Sequence, residues 1–262
     1  MKAGNFSHKT LQAIEAAKAS GEILRKGFYQ ARQIQYKEGD HNIVTQFDLE
    51  SENLIKGILK EDGVGFLCEE SGFTPSKNRS LWIVDPLDGT VNFAHSIPFF
   101  SVSIALIEKE SLQLGIVFNP MTNELFVAEK GKGAFLNGEK ITVSSTKALK
   151  GALLATGFPY NVKENPLSCI EQFTKFVKMG LPIRRLGSAA LDLAYVACGR
   201  FDAFFEVSLE PWDFSAGALI IEEAGGKVST YNSQPLDFLN RSTILGSNGI
   251  IHHELTQQLT TT

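Results

Sequence analysis

Cysteine is scarce in this chain: 262 residues contain only Cys68, Cys169 and Cys198. The number is odd and no two stand at C-x-x-C spacing, which leaves neither a disulfide framework nor a cysteine zinc site. Free, mostly buried thiols in a reducing compartment are expected. Basic charge is not in excess either. Lys and Arg total 25 against 29 Asp and Glu, the formal net charge is -4, and no basic cluster offsets it. That removes the electrostatic footprint of a nucleic-acid binder, so no nucleic-acid partner is expected. No apolar run approaches the roughly 18 residues of a membrane helix. The opening from Met1 reads polar, without a cleavage signal, so the expectation is a cytoplasmic protein with no membrane association. Several catalytic motifs are missing as well. There is no G-x-x-x-x-G-K-[ST], no G-x-S-x-G, no H-E-x-x-H and no G-x-G-x-x-G after a strand. P-loop, nucleophile-elbow, zincin and dinucleotide-binding chemistry are thereby set aside.

What is present is globular in composition, 43% hydrophobic and 21% charged, enough to build a core without staples. The length suits one large domain or two small ones. The short polar stretch near Ser144–Gly151 is the softest boundary, so two α/β halves, 1–147 and 148–262, are expected. Apolar spacing predicts a helix over Lys9–Gln30 and a second from Asp48, as its N-cap, to Gly63. Strands are predicted at Val64–Leu67, Leu81–Val84, Ser101–Ile107, Leu112–Phe118, Leu125–Ala128 and Ala134–Leu136, with Asn137-Gly138 as a hairpin turn. The second half reads as a strand at Leu153–Thr156, a helix at Leu167–Met179 and a strand at Ile183–Leu186. A helix at Ser188–Cys198, a strand at Phe201–Glu206 and a helix from about Trp212 to Ala224 follow, then two strands and a last helix.

The chemistry concentrates at Leu81-Trp82-Ile83-Val84-Asp85-Pro86-Leu87-Asp88-Gly89-Thr90. An apolar strand runs into two aspartates at D-x-x-D spacing, unlike the D-x-D of aspartyl-phosphate phosphatases. Pro86 and Gly89 predict a rigid turn there. Two carboxylates about 4 Å apart repel by roughly 4 kcal/mol at an effective dielectric of 20. One must be protonated, or a cation must sit between them, and a hard ion such as Mg²⁺ suits oxygen ligands. A helix starting at Gly89-Thr90-Val91-Asn92 would aim free N–H groups at an anion beside that metal. The same pattern also occurs as a plain tight turn. Glu69-Glu70-Ser71 follows a strand and can reach the same sheet edge. Asp213 either joins the cluster or only complements a helix start. Glu206, at the end of an apolar strand, either meets solvent or makes a polar contact in a pocket. His252-His253, in the last helix, reads as surface.

These segments together resemble the lithium-sensitive, Mg²⁺-dependent inositol monophosphatase family, bacterial members in particular. Glu69-Glu70-Ser71 is similar to the family's E-E-S, and Asp85–Phe93 to its D-P-[IL]-D-G-T-x-N-F. Trp212–Gly217 is similar to W-D-x-[AS]-[AG]-G, followed by Glu-Ala-Gly-Gly at Glu223–Gly226. Val44–Asp48 resembles V-T-x-x-D. Val91 departs from the pattern, where a second threonine is usual. The resemblance implies an α+β, layered α-β-α-β-α sugar-phosphatase fold, and a homodimer. It implies two or three Mg²⁺ ions, one held by Glu69, Asp85 and the Leu87 carbonyl, another by Asp85, Asp88 and Asp213. Gly89 and Thr90 would bind phosphate, while Glu206 and the Gly187-Ser188-Ala189 loop would contact the sugar or inositol. Thr90, bonded to Asp48, would activate the attacking water with Glu69. The implied activity is hydrolysis of inositol monophosphate to inositol and phosphate. The alternatives are fructose 1,6-bisphosphate, NADP or 3′-phosphoadenosine 5′-phosphate as substrate, the paired Arg184 and Arg185 offering a second cationic site. A regulatory protein acting through a partner surface is the alternative of another class.

Overall fold

A computed structural model describes residues 6–30, 34–36 and 43–260. The first five residues, on which the reading of the chain's opening partly rests, lie outside the described residues, as do those of residues 37–42.

Two helices come first, α1 (His8–Phe28) and α2 (Gln46–Leu59), with a small ribbon of β1 (Ile34–Tyr36) and β2 (Ile43–Thr45) between them. Ser7 caps α1, its hydroxyl accepting from the Thr10 N–H at 3.3 Å, and Arg25 and Lys26 complement the dipole in the last turn. Eight strands follow: β3 (Gly65–Cys68), β4 (Gly72–Thr74), β5 (Ser80–Asp88), β6 (Ser101–Glu108), β7 (Ser111–Asn119), β8 (Glu124–Glu129), β9 (Gly133–Leu136) and β10 (Glu139–Lys140). A single turn of helix, α3 (Thr90–Ala94), joins β5 to β6. The sheet order is β10-β9-β8-β7-β6-β5-β3-β4, and β3 pairs in parallel with β5. Asn137 and Gly138 both take positive φ, which gives the tight β9–β10 hairpin the twist its strands need.

The second sheet holds β11 (Leu154–Thr156), β12 (Ile183–Arg184), β13 (Ala203–Leu209), β14 (Lys227–Ser229) and β15 (Ser242–Ser247), in the order β12-β11-β13-β15-β14. Its helices are α4 (Cys169–Lys178), α5 (Ala189–Ala197), α6 (Pro211–Glu223) and α7 (His252–Thr260).

Burial stacks these elements in layers. Trp82 and Val84 of β5 share a core with Leu24 of α1 and Ile55 of α2. Their strand neighbours Leu81 and Ile83 point the other way, into a core with Leu193 of α5 and Ile220 of α6. That same core takes in Phe204 and Ile244 of the second sheet. On the far face of the second sheet, Leu154 and Phe205 pack with Phe176 of α4 and Leu255 of α7. The result is α1–α2, sheet, α5–α6, sheet, α4–α7: the expected α+β, α-β-α-β-α arrangement. Every residue of β5 is buried because helices cover both faces of its sheet.

Three sequence expectations need correction. Asp48 is not the N-cap of α2, which begins at Gln46; it lies in the first turn, fully buried. The Asp85–Asp88 stretch is not a turn beyond the strand but its continuation. His252 is buried, its Nδ1 and Nε2 paired with the hydroxyls of Ser247 and Ser229 at 2.8 and 2.9 Å. Only His253 is on the surface. The three cysteines are free, Cys68 and Cys169 buried and Cys198 partly so. Among the described residues no helix is long and apolar enough to cross a membrane.

Candidate active site

The site begins where β5 loses its regular register. Asp85 pairs with Ser103 and Asp88 with Ser101, so β5 spends one residue more than β6 over this interval. Such a bulge re-aims side chains at a strand end. Alternation puts Asp85 on the Leu81 and Ile83 face, toward the α5–α6 layer. Pro86 has no N–H to offer the ladder, and its carbonyl instead accepts from the Ser51 hydroxyl of α2 at 3.1 Å. The Leu87 N–H turns back to Asp85 Oδ1 at 2.9 Å. Gly89 then takes φ 95° as the N-cap of α3. A Cβ there would lie 3.1 Å from the carbonyls of both Gly187 and Phe99, so conformation and space each demand glycine. The first bond of α3 runs from Phe93 N–H to the Gly89 carbonyl, and the N–H groups ahead of it have no partner within the helix. Thr90 Oγ1 lies 2.9 Å from the Leu87 carbonyl and 3.2 Å from Asp48 Oδ1, so Asp48 and Thr90 do meet.

Distant segments bring in the other carboxylates. The Glu69 N–H donates to the Val84 carbonyl at 3.2 Å, tying Glu69 to the end of β5. The loop after Glu69 is pinned by Glu52 of α2, whose buried carboxylate accepts from the N–H groups of Glu70 and Ser71 at 2.9 and 3.1 Å. Asp88 is received by the start of α5: Ser188 Oγ and Ala190 N–H donate to its Oδ2 at 2.5 and 2.8 Å, and Ala189 N–H to its Oδ1 at 3.3 Å. Asn92 Nδ2 bridges the Phe99 and Leu186 carbonyls at 2.8 and 2.7 Å, holding α3 against the Gly187 loop. Asp213 forms a capping box with Glu210 at the start of α6, accepting from the Glu210 N–H at 2.8 Å. It therefore does complement a helix start, and it faces the cluster as well. Glu206 does not end its strand; it is buried within β13.

The electrostatics are those of an overcrowded acidic site. Burial, then Glu69, Asp88 and Asp213, push the Asp85 carboxyl well above its ordinary value, and a hydrogen bond shared with Glu69 adds to this. Asp213 is raised by burial and then by Asp88 and Glu69. Burial also raises Asp88, but the Ser188, Ala190 and Ala189 donors hold it to about 6. Glu206 is pushed up to about 8 by burial, against the pull of Arg185. Asp192 of α5, buried with Oδ1 unpartnered, is raised by burial and by Asp88 and Glu206.

Among the described residues, no three acidic, His or Cys side chains stand in a metal-ligating arrangement. The chemistry of the donor set nonetheless suits a hard cation. Asp85 lies close enough to Glu69 to share a hydrogen bond, and the charge of Glu69 disfavours that of Asp85, a repulsion that a cation between them would relieve. Asp88 and Asp213 add two further oxygen donors whose charges disfavour one another.

A model of the inositol monophosphatase family matches residues 7–262. The chain belongs to the inositol monophosphatase family. Inositol-1-monophosphatase of Caulobacter vibrioides is 41% identical over 252 residues, covering 94% of this chain and 98% of that protein. The Nus factor SuhB of Pseudomonas aeruginosa is 41% identical over 244 residues, 90% of each. Among solved structures, the extragenic suppressor protein suhB from Bartonella henselae matches with a TM-score of 0.90 at 37% identity, covering 97% of this chain and 99% of that one. Membership accounts for the layered fold and for the bacterial character of the signatures. Several residues around the site lie outside those signatures and were not legible as such: Glu52, Asp192, and Ser101, whose hydroxyl donates to Asp88 Oδ2 at 3.4 Å. A buried acid on a helix is invisible until the loop it holds is seen. Arg184 and Arg185 do not act as one cationic pair. The first donates to its own neighbour's carbonyl, Ile183, at 3.2 Å, and the second lies 5.7 Å from the Phe158 ring centre.

Proposed function

We propose that this member of the family is a Mg²⁺-dependent phosphoric monoester hydrolase that converts inositol monophosphate to inositol and phosphate, and that it works as a homodimer. The observation that supports the reading is the buried, mutually repelling set Glu69, Asp85, Asp88 and Asp213 beside the start of α3. Glu69, Asp85 and the Leu87 carbonyl would hold one Mg²⁺, and Asp85, Asp88 and Asp213 another, with room in the proposal for a third ion. When bound, these ions neutralise charge that builds on phosphate and lower the pKa of water.

The chain's own groups do the rest. Gly89 and Thr90 receive phosphate through their N–H groups, the ordinary use of a helix start. The Glu69 carboxylate and the Thr90 hydroxyl, buttressed by Asp48, orient water and take its proton. A new P–O bond forms as the ester P–O bond breaks, so the configuration at phosphorus inverts and no phospho-enzyme forms. Glu206 and the Gly187-Ser188-Ala189 loop hold the departing polyol. Phosphate monoesters need up to about 10²¹-fold acceleration, and general-base help supplies only about 10²–10⁴ of it. Most must come from charge stabilisation, which is consistent with so many carboxylates around one anion site.

The test is phosphate release from inositol 1-phosphate with and without Mg²⁺, beside fructose 1,6-bisphosphate, NADP and 3′-phosphoadenosine 5′-phosphate. Preference for another ester keeps the site and moves the substrate; retention at phosphorus rejects the single displacement. A second reading, action through a partner surface, is favoured by relatives that carry the name Nus factor SuhB. It predicts no turnover of any of these esters although every carboxylate is in place.

A further inference from the structure

The segment that leaves β11 lies against Glu206, on the side where the polyol is proposed to sit. At Gly157 a Cβ would fall 2.0 Å from Glu206 Oε2, so the bare backbone lies directly on that carboxylate. Phe158 is braced on both sides: its ring meets Phe173 of α4 edge-on at 5.5 Å between centres, and the Arg185 guanidinium lies over it at 5.7 Å. Pro159 is buried, and its carbonyl accepts from the Val162 N–H at 3.0 Å. Between these anchors stands Tyr160, 63% exposed. Its hydroxyl has no hydrogen-bond partner among the described residues, and desolvation first, then the charges of Glu69, Asp213, Asp85 and Asp88, push the phenol above its ordinary value. An amphipathic ring thus stands on a braced stretch of backbone three residues beyond the glycine that lies on Glu206, with a free donor at its tip.

We propose that Tyr160 is a specificity-determining residue for the leaving alcohol: its hydroxyl donates to a polyol hydroxyl, and its ring walls the side of the site that Glu206 floors. This rests on the reading of the site as a polyol phosphatase. A sugar or cyclitol hydroxyl can donate to a Glu206 carboxyl oxygen and its neighbour can accept from a phenol, so Glu206 and Tyr160 are complementary to a vicinal pair. Phosphate has its own donors at Gly89 and Thr90 and does not need the phenol. A site that hydrogen-bonds substrate hydroxyls discriminates strongly against esters that lack them.

The test uses the full chain with Mg²⁺ and compares inositol 1-phosphate with p-nitrophenyl phosphate, which carries no polyol hydroxyl. In Tyr160→Phe the ratio of kcat/KM for inositol 1-phosphate over p-nitrophenyl phosphate should fall about tenfold, with KM for inositol 1-phosphate taking the loss. Tyr160→Leu, which also removes the wall, should lower the ratio further. Tm should move little in either variant because the side chain is exposed. An unchanged ratio in both variants overturns the proposal, as does an equal loss on both esters, which would place the phenol on phosphate. Wild-type protein that hydrolyses neither ester rejects the phosphatase reading instead. Calorimetric binding of inositol 1-phosphate then decides for Tyr160 alone: about tenfold weaker binding by Tyr160→Phe sustains the subsite, and equal affinity or no binding removes it.

Discussion

Asp85→Asn should make the metal-free protein more stable and the loaded enzyme almost inactive. Asp85 is buried, shares a hydrogen bond with Glu69, and is disfavoured as an anion by Glu69, Asp88 and Asp213. Without a cation the pair has two costly options. Charge on both groups costs roughly 4 kcal/mol for neighbours about 4 Å apart at an effective dielectric of 20. Keeping Asp85 protonated has a cost that grows as pH rises above its ordinary 3.8. The sign follows from linkage. The folded pKa is raised, so the folded chain holds a proton that the unfolded chain releases, and stability is lost as pH rises above 3.8. Asparagine is neutral at every pH, keeps an oxygen for the Leu87 N–H, and can donate to Glu69. If half the strain is relieved, the gain is about 2 kcal/mol, or a Tm rise of about 4–8 °C in EDTA at pH 7. Mg²⁺ should raise Tm in wild type and much less in the variant, so the two melting curves exchange order. Turnover should fall by several orders of magnitude. A variant that melts below wild type in EDTA, or that turns over normally with Mg²⁺, would refute the reasoning.

Other perturbations separate the supports of the site. Ser188→Ala removes both the N-cap of α5 and a donor to Asp88; a loss of about 1–2 kcal/mol by chemical denaturation is expected, with weaker Mg²⁺ activation. Glu52→Gln leaves the Glu69 loop held by a weaker acceptor, so the Mg²⁺ concentration for half-maximal activity should rise several-fold while kcat at saturation changes less; unchanged Mg²⁺ dependence counts against that role. Gly157→Ala drives a methyl into Glu206, and KM for inositol 1-phosphate should rise about tenfold or more, a misplacement effect. Burial lowers His252 to about 4 from 6.5, so the folded chain binds fewer protons between those values. Its stability is intact above pH 6.5 and should fall by about 2 kcal/mol on going down to pH 4, a drop that His252→Asn should reduce in acid titrations followed by circular dichroism.

Much of the fold could be read along the chain because its signals are local. The apolar run into Asp85, the glycine that only α3's N-cap conformation demands, and the Asn137-Gly138 hairpin are each written within a few residues. The cradle around Asp88 was not legible in this way. Its donors stand about a hundred positions further on, in α5, and a serine followed by two alanines has no chemical signature of its own. Glu52 reads as one more charge on an amphipathic helix until the loop after β3 folds onto it. Proline and glycine usually mark a turn, but from Asp85 to Asp88 the ladder to β6 absorbs them through the bulge. His252 followed surface expectation until serines on β14 and β15 supplied a partner for each ring nitrogen.

The donors that α5 gives to Asp88 set it apart from the other carboxylates of the site. Asp88 is held to about 6, whereas Asp85 and Asp213 are raised well beyond their ordinary values. The carboxylates of the site are thus made unequal by what surrounds them: Asp88 is already oriented by three donors, whereas Asp85 and Asp213 face one another's charge without such support. If Mg²⁺ binds here as proposed, Asp88 is the ligand that needs least rearrangement, and loading should release protons. Mixing with Mg²⁺ in a weakly buffered indicator dye would detect that release.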